Sequence, residues 1–212
     1  MDTLILFDLD GTLLDSLGDL TDSTNHTLQQ YGCPPRTIDE IRSFVGNGAE
    51  MLIRLALPGK ENDPPLDQVL ASYKAYYANH SRIKTKPYDG ILEALERISQ
   101  KYKVAIVSNK PDEATKILAR ELFGGMPAWG ESASCQRKPA PDMLYQAMQE
   151  LGVSKCIYVG DSEVDVQTAK NAGVKCLSVL WGFRDKQCLI DAGAEYFCER
   201  PDQMAEMIEK MV

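Results

Sequence analysis

The chain has 212 residues, 44% of them apolar, and its 31 acidic against 23 basic side chains give a formal charge of −8. That length holds one full α/β core with a modest accessory unit, and the apolar share excludes a disordered polymer. The negative field repels a phosphate backbone and no basic stripe offsets it, since Arg82, Lys84 and Lys86 make only a small charged cluster; a nucleic-acid partner is excluded.

The opening Met1-Asp2-Thr3-Leu4-Ile5 carries no basic leader, and no apolar run approaches the ~18 residues of a membrane helix. The expectation is a soluble cytoplasmic protein, monomer or homodimer, with no membrane partner. The six cysteines form no close CxxC pair and only His26 and His80 could join them, which speaks against structural zinc and for reduced thiols.

Taken in chain order, Thr3–Phe7 (TLILF) is an unbroken apolar run of the buried-strand kind, stopped by Asp8-Leu9-Asp10-Gly11-Thr12. From about Asp15 to Ile83 the pattern turns helical: Leu17–Tyr31, Thr37–Phe44, Gly48–Leu57 and Leu66–His80, with joints at Pro34-Pro35 and Pro64-Pro65. Pro87-Tyr88-Asp89-Gly90 then leads into apolar positions at helical spacing, Ile91, Leu92, Leu95 and Ile98. Further strand-like runs are Lys103–Val107, Cys156–Val159, Lys175–Val179 and Glu195–Phe197. Helical patterns follow at Pro111-Asp112-Glu113, around Met143–Leu151 and around Met204–Ile208. Strands alternating with helices predict a Rossmann-like α/β fold, a doubly wound parallel sheet covered on both faces. The expected division is a core of residues 1–14 and 84–212, with a helical cap of residues 15–83 inserted after the first strand.

Polar clusters stand at the ends of successive apolar runs: Asp8 and Asp10 after the first, Ser108-Asn109 after Lys103–Val107, Asp161 and Asp165 after Cys156–Val159. Arg137-Lys138-Pro139 precedes a helix. Carboxyl ends of parallel strands form the ligand crevice of such sheets. Each cluster alone reads as an ordinary turn, and Gly160-Asp161-Ser162 as a strand-to-helix turn with Asp161 or Ser162 as its cap. Together they suit one chemistry. A carboxylate can attack phosphorus and form an acyl phosphate; crowded acids call for a hard divalent cation, for which magnesium takes oxygen ligands. Lys138 would offset further charge, and Ser108 and Asn109 could cradle phosphoryl oxygens.

These residues are similar in order and separation to the signatures of the haloacid-dehalogenase-like superfamily, and within it to phosphatases related to phosphoglycolate phosphatase. The matching stretches are Phe7-Asp8-Leu9-Asp10-Gly11-Thr12-Leu13-Leu14-Asp15-Ser16, Val107-Ser108-Asn109-Lys110, Lys138-Pro139 and Gly160-Asp161-Ser162-Glu163-Val164-Asp165. The resemblance covers essentially the whole chain and implies roles. Asp8 would be nucleophile and magnesium ligand. Asp10 would serve as acid and then base, its main-chain carbonyl on the metal. Thr12 would help hold the loop and Asp10; Ser108 and Asn109 would bind the phosphoryl group, with Lys138 pairing to it and to Asp8. Asp161 would ligate magnesium, and Asp165 would act through water or orient that shell. The acid at position 10 favours phosphotransfer over dehalogenation. In the cap, Gly46-Asn47-Gly48 is the best candidate for substrate contact, through Asn47 and Gly48, with Arg42 and Arg54 behind it. Trp181, in Leu180-Trp181-Gly182-Phe183, is expected either to border the cavity or simply to pack.

The implied substrate is a small phosphorylated metabolite, 2-phosphoglycolate by similarity. Rival readings are a β-phosphoglucomutase-like sugar phosphomutase, a nucleotidase or a pyrophosphatase. Phosphonate hydrolysis fits less well, because no cap position clearly supplies a Schiff-base lysine. A non-catalytic, phosphometabolite-binding regulatory protein is the alternative of another class.

Overall fold

An apolar run with no polar break can sit only where both faces of a sheet are covered, and β1 (Thr3–Phe7) does: all five residues are buried. The computed structural model describes residues 2–59, 63–133 and 135–212. In it β1 lies inside a sheet ordered β5 (Ala128–Glu131), β4 (Lys103–Pro111), β1, β6 (Lys155–Gly160), β7 (Lys175–Val179) and β8 (Tyr196–Cys198). Every pairing is parallel, with Leu4 opposite Lys103 on one side and Cys156 on the other.

Side-chain alternation along β1 divides the core in two. Ile5 and Phe7 pack with α5 (Ile91–Ser99), α6 (Asp112–Leu122) and α10 (Met204–Met211), while Leu4 and Leu6 pack with α7 (Asp142–Glu150) and α8 (Glu163–Ala172). Burying each such side chain is worth roughly 1.5–3 kcal/mol, so a one-residue slip of β1 would forfeit both layers at once.

Between Leu14 and Pro87 the chain leaves the sheet through a small antiparallel pair, β2 (Leu14–Asp15) with β3 (Lys86–Pro87). Four helices follow β2: α1 (Leu17–Gln30), α2 (Ile38–Phe44), α3 (Gly48–Ala56) and α4 (Leu66–His80). They share an apolar cluster of their own that includes Leu20, Ile41, Leu52, Val69 and Tyr73. Thr37 and Glu40 close a capping box on α2. The returning chain is fastened to α1 by Asp19, whose buried carboxylate accepts the N–H groups of Ile83, Lys84 and Thr85 and the Thr85 hydroxyl.

Several short elements were not foreseen, among them the two-residue strands β2 and β3. The edge strand β5 is four residues of mixed burial with a central glycine, too short and broken to register as an apolar run. Helix α9 (Lys186–Asp191) is a six-residue piece capped by Asp185. Among the described residues no helix is long and apolar enough to cross a membrane.

Candidate active site

Strand order reverses about β1, with β4 on one side and β6 on the other, which opens a crevice at their carboxyl ends. Asp8 and Asp10 follow β1, Ser108, Asn109 and Lys110 form the end of β4, and Asp161 follows β6. Lys138 arrives on the loop before α7, and Asn109 holds it there. The Asn109 Oδ1 accepts the Lys138 N–H at 2.7 Å, and its Nδ2 donates to the Lys138 carbonyl and to that of Gly46, both at 3.0 Å.

The Lys138 ammonium, 2% exposed, lies 2.8 Å from Asp8 Oδ1 and 2.8 Å from Asp165 Oδ1. Asp8 Oδ1 also accepts the Leu9 N–H at 2.7 Å. Asp161 is steadied by the Thr12 hydroxyl at 2.9 Å and the Phe183 N–H at 2.8 Å. Asp165 is more heavily engaged: Lys138 and the Tyr158 hydroxyl donate to Oδ1, while the Ser162 N–H and hydroxyl donate to Oδ2. Ser162 is the N-cap of α8 and Asp165 completes its capping box, so one carboxylate both starts a helix and aims a lysine.

Asp8, Asp161 and Asp165 each bring a carboxylate oxygen within 4.8 Å of the others, all three residues buried. One ammonium cannot neutralise them. Burial pushes Asp8 up to about 7, with Asp165 and Asp10 adding to the rise and Lys138 opposing it. Burial likewise drives Asp161 well above the carboxylate range, helped by the charges of Asp165 and Asp8. Asp165 moves the other way: burial works to raise it, but Lys138, Ser162 and Tyr158 together hold it below the usual value. Fully ionised, the three acids and Lys138 leave two uncompensated negative charges. A divalent cation would cancel both, and an all-oxygen donor set suits a hard one. The space around these acids depends on missing side chains. A Cβ at Gly11, where φ is +87°, would lie 2.3 Å from Asp161 Oδ2, and one at Gly182 would lie 2.3 Å from the Asp161 Cβ.

Above the acids lies a cavity of about 570 Å³, lined by Asp8, Asp10, Ser108, Lys110 and Lys138 on the sheet side and by α1, α3 and α4 on the other.

A family model for haloacid dehalogenase-like hydrolases matches residues 5–179. The chain belongs to that family. It is 36% identical to a protein named phosphoglycolate phosphatase from Pseudomonas putida, over 85% of this chain and 70% of the relative. A namesake from Agrobacterium fabrum is 35% identical over 86% and 82%. The fold superposes on a crystal structure from Lactobacillus delbrueckii, a protein provisionally named phosphoglycolate phosphatase, with a TM-score of 0.88, 37% identity and 97% of each chain covered. A hydrolase from Pseudomonas syringae, 20% identical with a TM-score of 0.80 over 100% and 99% of the two chains, shares the fold.

Within this hydrolase the expected residues divide. Asp8, Asp10, Ser108, Asn109, Lys138 and Gly48 line the cavity. Asp161 and Asp165 lie beneath it, in the acid cluster with Asp8. The Asp10 carboxylate stands outside that cluster, so its expected share in the metal rests on its main-chain carbonyl. Thr12 corrects the reading that put it at the substrate and beside Asp10: it is fully buried and gives its hydroxyl to Asp161. The Asn109 side chain spends its amide on the Lys138 and Gly46 backbones. Asn47 occupies the N-cap position of α3 without a side-chain capping bond and is absent from the cavity wall. Arg42 and Arg54 pair with Asp39 and Glu50 on their own helices, away from the cavity. Trp181 packs on the core and donates its indole N–H to the Thr12 carbonyl at 2.9 Å.

Two residues went unassigned. Lys110, 2% exposed, bonds both Asp10 carboxylate oxygens at 3.0 and 2.8 Å and the hydroxyl of Tyr77 on α4 at 2.7 Å. It stood inside the quoted Val107–Lys110 stretch; a lysine directly after two small polar residues at the end of an apolar run was the available signal. Arg184 pairs with Glu163 and donates to the carbonyls of Arg42, Ser43 and Val45 at the end of α2. Nothing in its local sequence marks it.

Proposed function

We propose that this protein is a magnesium-dependent phosphatase that hydrolyses a small phosphomonoester through an aspartyl-phosphate on Asp8. The names of its relatives point to 2-phosphoglycolate. One observation carries the reading: among the described residues, Asp8 alone belongs both to the three-carboxylate cluster and to the cavity wall. Asp8 and Asp161, with the Asp10 main-chain carbonyl, would hold magnesium, whose charge would offset that of the phosphoryl oxygens. Asp165, already bonded through both oxygens, orients Lys138 and the surrounding shell.

A carboxylate oxygen of Asp8 attacks phosphorus, and the bond from phosphorus to the leaving oxygen breaks. Asp10 gives that oxygen its proton. Lys138 stays beside Asp8 and balances the charge that gathers on the phosphoryl group. Asp10, now ionised, takes a proton from water; the water oxygen bonds to phosphorus, the bond to Asp8 breaks, and phosphate leaves with the Asp8 carboxylate restored. Lys110, bonded to both Asp10 oxygens in this structure, positions Asp10 and would keep only one of them while Asp10 carries the proton. The residues 15–83 unit, closed over the crevice through Asn109, Lys110 and Arg184, shields the acyl phosphate from bulk water.

A panel of phosphorylated metabolites, assayed with and without chelator, tests the reading. Turnover should need divalent metal, and Asp8→Asn should lose both turnover and hydroxylamine-sensitive phosphoprotein. Undiminished turnover after metal removal would refute the metal role, and full activity in Asp8→Asn the nucleophile.

A further inference from the structure

Each buried lysine at the site has spent all three of its N–H donors. Lys138 gives them to Asp8, Asp165 and the Tyr158 hydroxyl, each at 2.8 Å, and its ammonium lies 5.5 Å from the centre of the Tyr158 ring. Lys110 repeats the pattern. Two donors go to the Asp10 oxygens at 3.0 and 2.8 Å and the third to the Tyr77 hydroxyl at 2.7 Å, with the ring centre 4.8 Å away. The two arrangements differ in origin. Tyr158 stands on β6 inside the sheet, whereas Tyr77 stands on α4, in the unit inserted between β2 and β3.

Among the described residues Lys110 is the sole hydrogen-bond donor to the Asp10 carboxylate. Where that carboxylate points therefore depends on where the Lys110 ammonium sits, and a flexible four-carbon stem does not fix it. Tyr77 does. Its ring is buried and stacks on Tyr73, one helical turn earlier, with centroids 5.4 Å apart and planes 10° apart. It offers the ammonium both a hydroxyl oxygen and an aromatic face. While Asp10 carries a proton, Lys110 keeps only one of its oxygens, and the neutral Tyr77 contact is the one that persists through both chemical steps.

We propose that Tyr77 is a positioning residue for proton transfer: through Lys110 it sets the direction of the Asp10 carboxylate. The helical unit thereby contributes a side chain to the acid–base apparatus. This rests on the reading of Asp10 as acid and base, but the contact itself can be tested without turnover.

Tyr77→Phe keeps the ring and its stacking and removes only the hydroxyl. It should lower kcat/KM for 2-phosphoglycolate, whose leaving alkoxide needs a proton, by at least about tenfold. For 4-nitrophenyl phosphate, whose phenolate leaves without one, kcat/KM should stay within about threefold of wild type. This parameter spans only the steps through alcohol release, so the later use of Asp10 as a base does not enter. A merely structural role would slow both esters alike; that result, or no loss with either, overturns the proposal. Adding Tyr77→Phe to Lys110→Met should cost less than about twofold more, since both act on one contact. A full second loss would place the effect of Tyr77 outside Lys110 and overturn it too. A crystal structure of Tyr77→Phe should show the Lys110 ammonium withdrawn from at least one Asp10 oxygen, and both bonds retained would refute the positioning. Withdrawal of Lys110, alongside a wild type that hydrolyses neither ester, would uphold the contact and sink the phosphatase reading instead.

Discussion

Chelated protein should lose stability as the pH rises from about 4 to about 7, the reverse of what paired carboxylates usually confer. Burial moves the Asp8 midpoint from 3.8 to about 7. Through that window the native state keeps a proton that the unfolded chain has released, so the slope of unfolding free energy against pH is negative. At ~1.4 kcal/mol per pH unit the loss from Asp8 is roughly 4 kcal/mol. Asp161, also raised, adds in the same direction. Asp165, lowered, works oppositely, but its contribution is complete above the unfolded carboxylate midpoint of ~3.9 and is lost only on further acidification. Saturating magnesium should abolish the decline, because it compensates the charges that burial penalises. Guanidinium unfolding at stepped pH, in chelator and in magnesium, reads this directly, and Asp8→Asn should flatten the chelated curve substantially. Flat or rising stability in chelator, matched by Asp8→Asn, would refute the electrostatic account of the cluster.

Three further substitutions follow from contacts. Gly182→Ala drives a methyl group into Asp161 and should weaken magnesium activation by about 10–100-fold, measured by titrating turnover with metal; an unchanged midpoint would contradict it. Lys110→Met releases both Asp10 oxygens and should lower kcat by about 100-fold with KM little changed, the scale of one misplaced acid–base group. A wild-type kcat would remove Lys110 from the mechanism. Asp19→Ala strands the N–H groups of Ile83, Lys84 and Thr85 and should cost roughly 3 kcal/mol of unfolding free energy; a loss under about 1 kcal/mol would show that water replaces the carboxylate.

The elements legible in the chain were those whose periodicity ran long enough to exclude other structures. β1, β4, β6 and β7 were each centred on an apolar run, and α1 to α4 lay within a residue or so of the expected spans. β5 and α9 escaped because four and six residues carry too little pattern. At the site, Asp8, Asp10 and Ser108 stood out because acids and a small polar residue interrupt apolar runs at strand ends, and Lys138 because it stands with a proline just before a helix. Thr12 was misread for a physical reason: the loop turns at Gly11, and the Thr12 hydroxyl reaches Asp161 just beyond β6. Arg42 and Arg54 attracted notice as charges, but a surface arginine one helical turn from an acid pairs with it.

Local sequence thus determined which segments became strands and helices, and which carboxylates would stand at the sheet's edge, because those depend on side-chain periodicity and on where apolar runs stop. Partnership was decided only by the tertiary structure. Lys138 meets Asp8 and Asp165, Lys110 meets Asp10 and Tyr77, and Arg184 reaches the end of α2 across separations along the chain that no pattern spans. Charge pairing and burial act through space, so the protonation of the acids and the shape of the cavity exist only once the strands lie side by side.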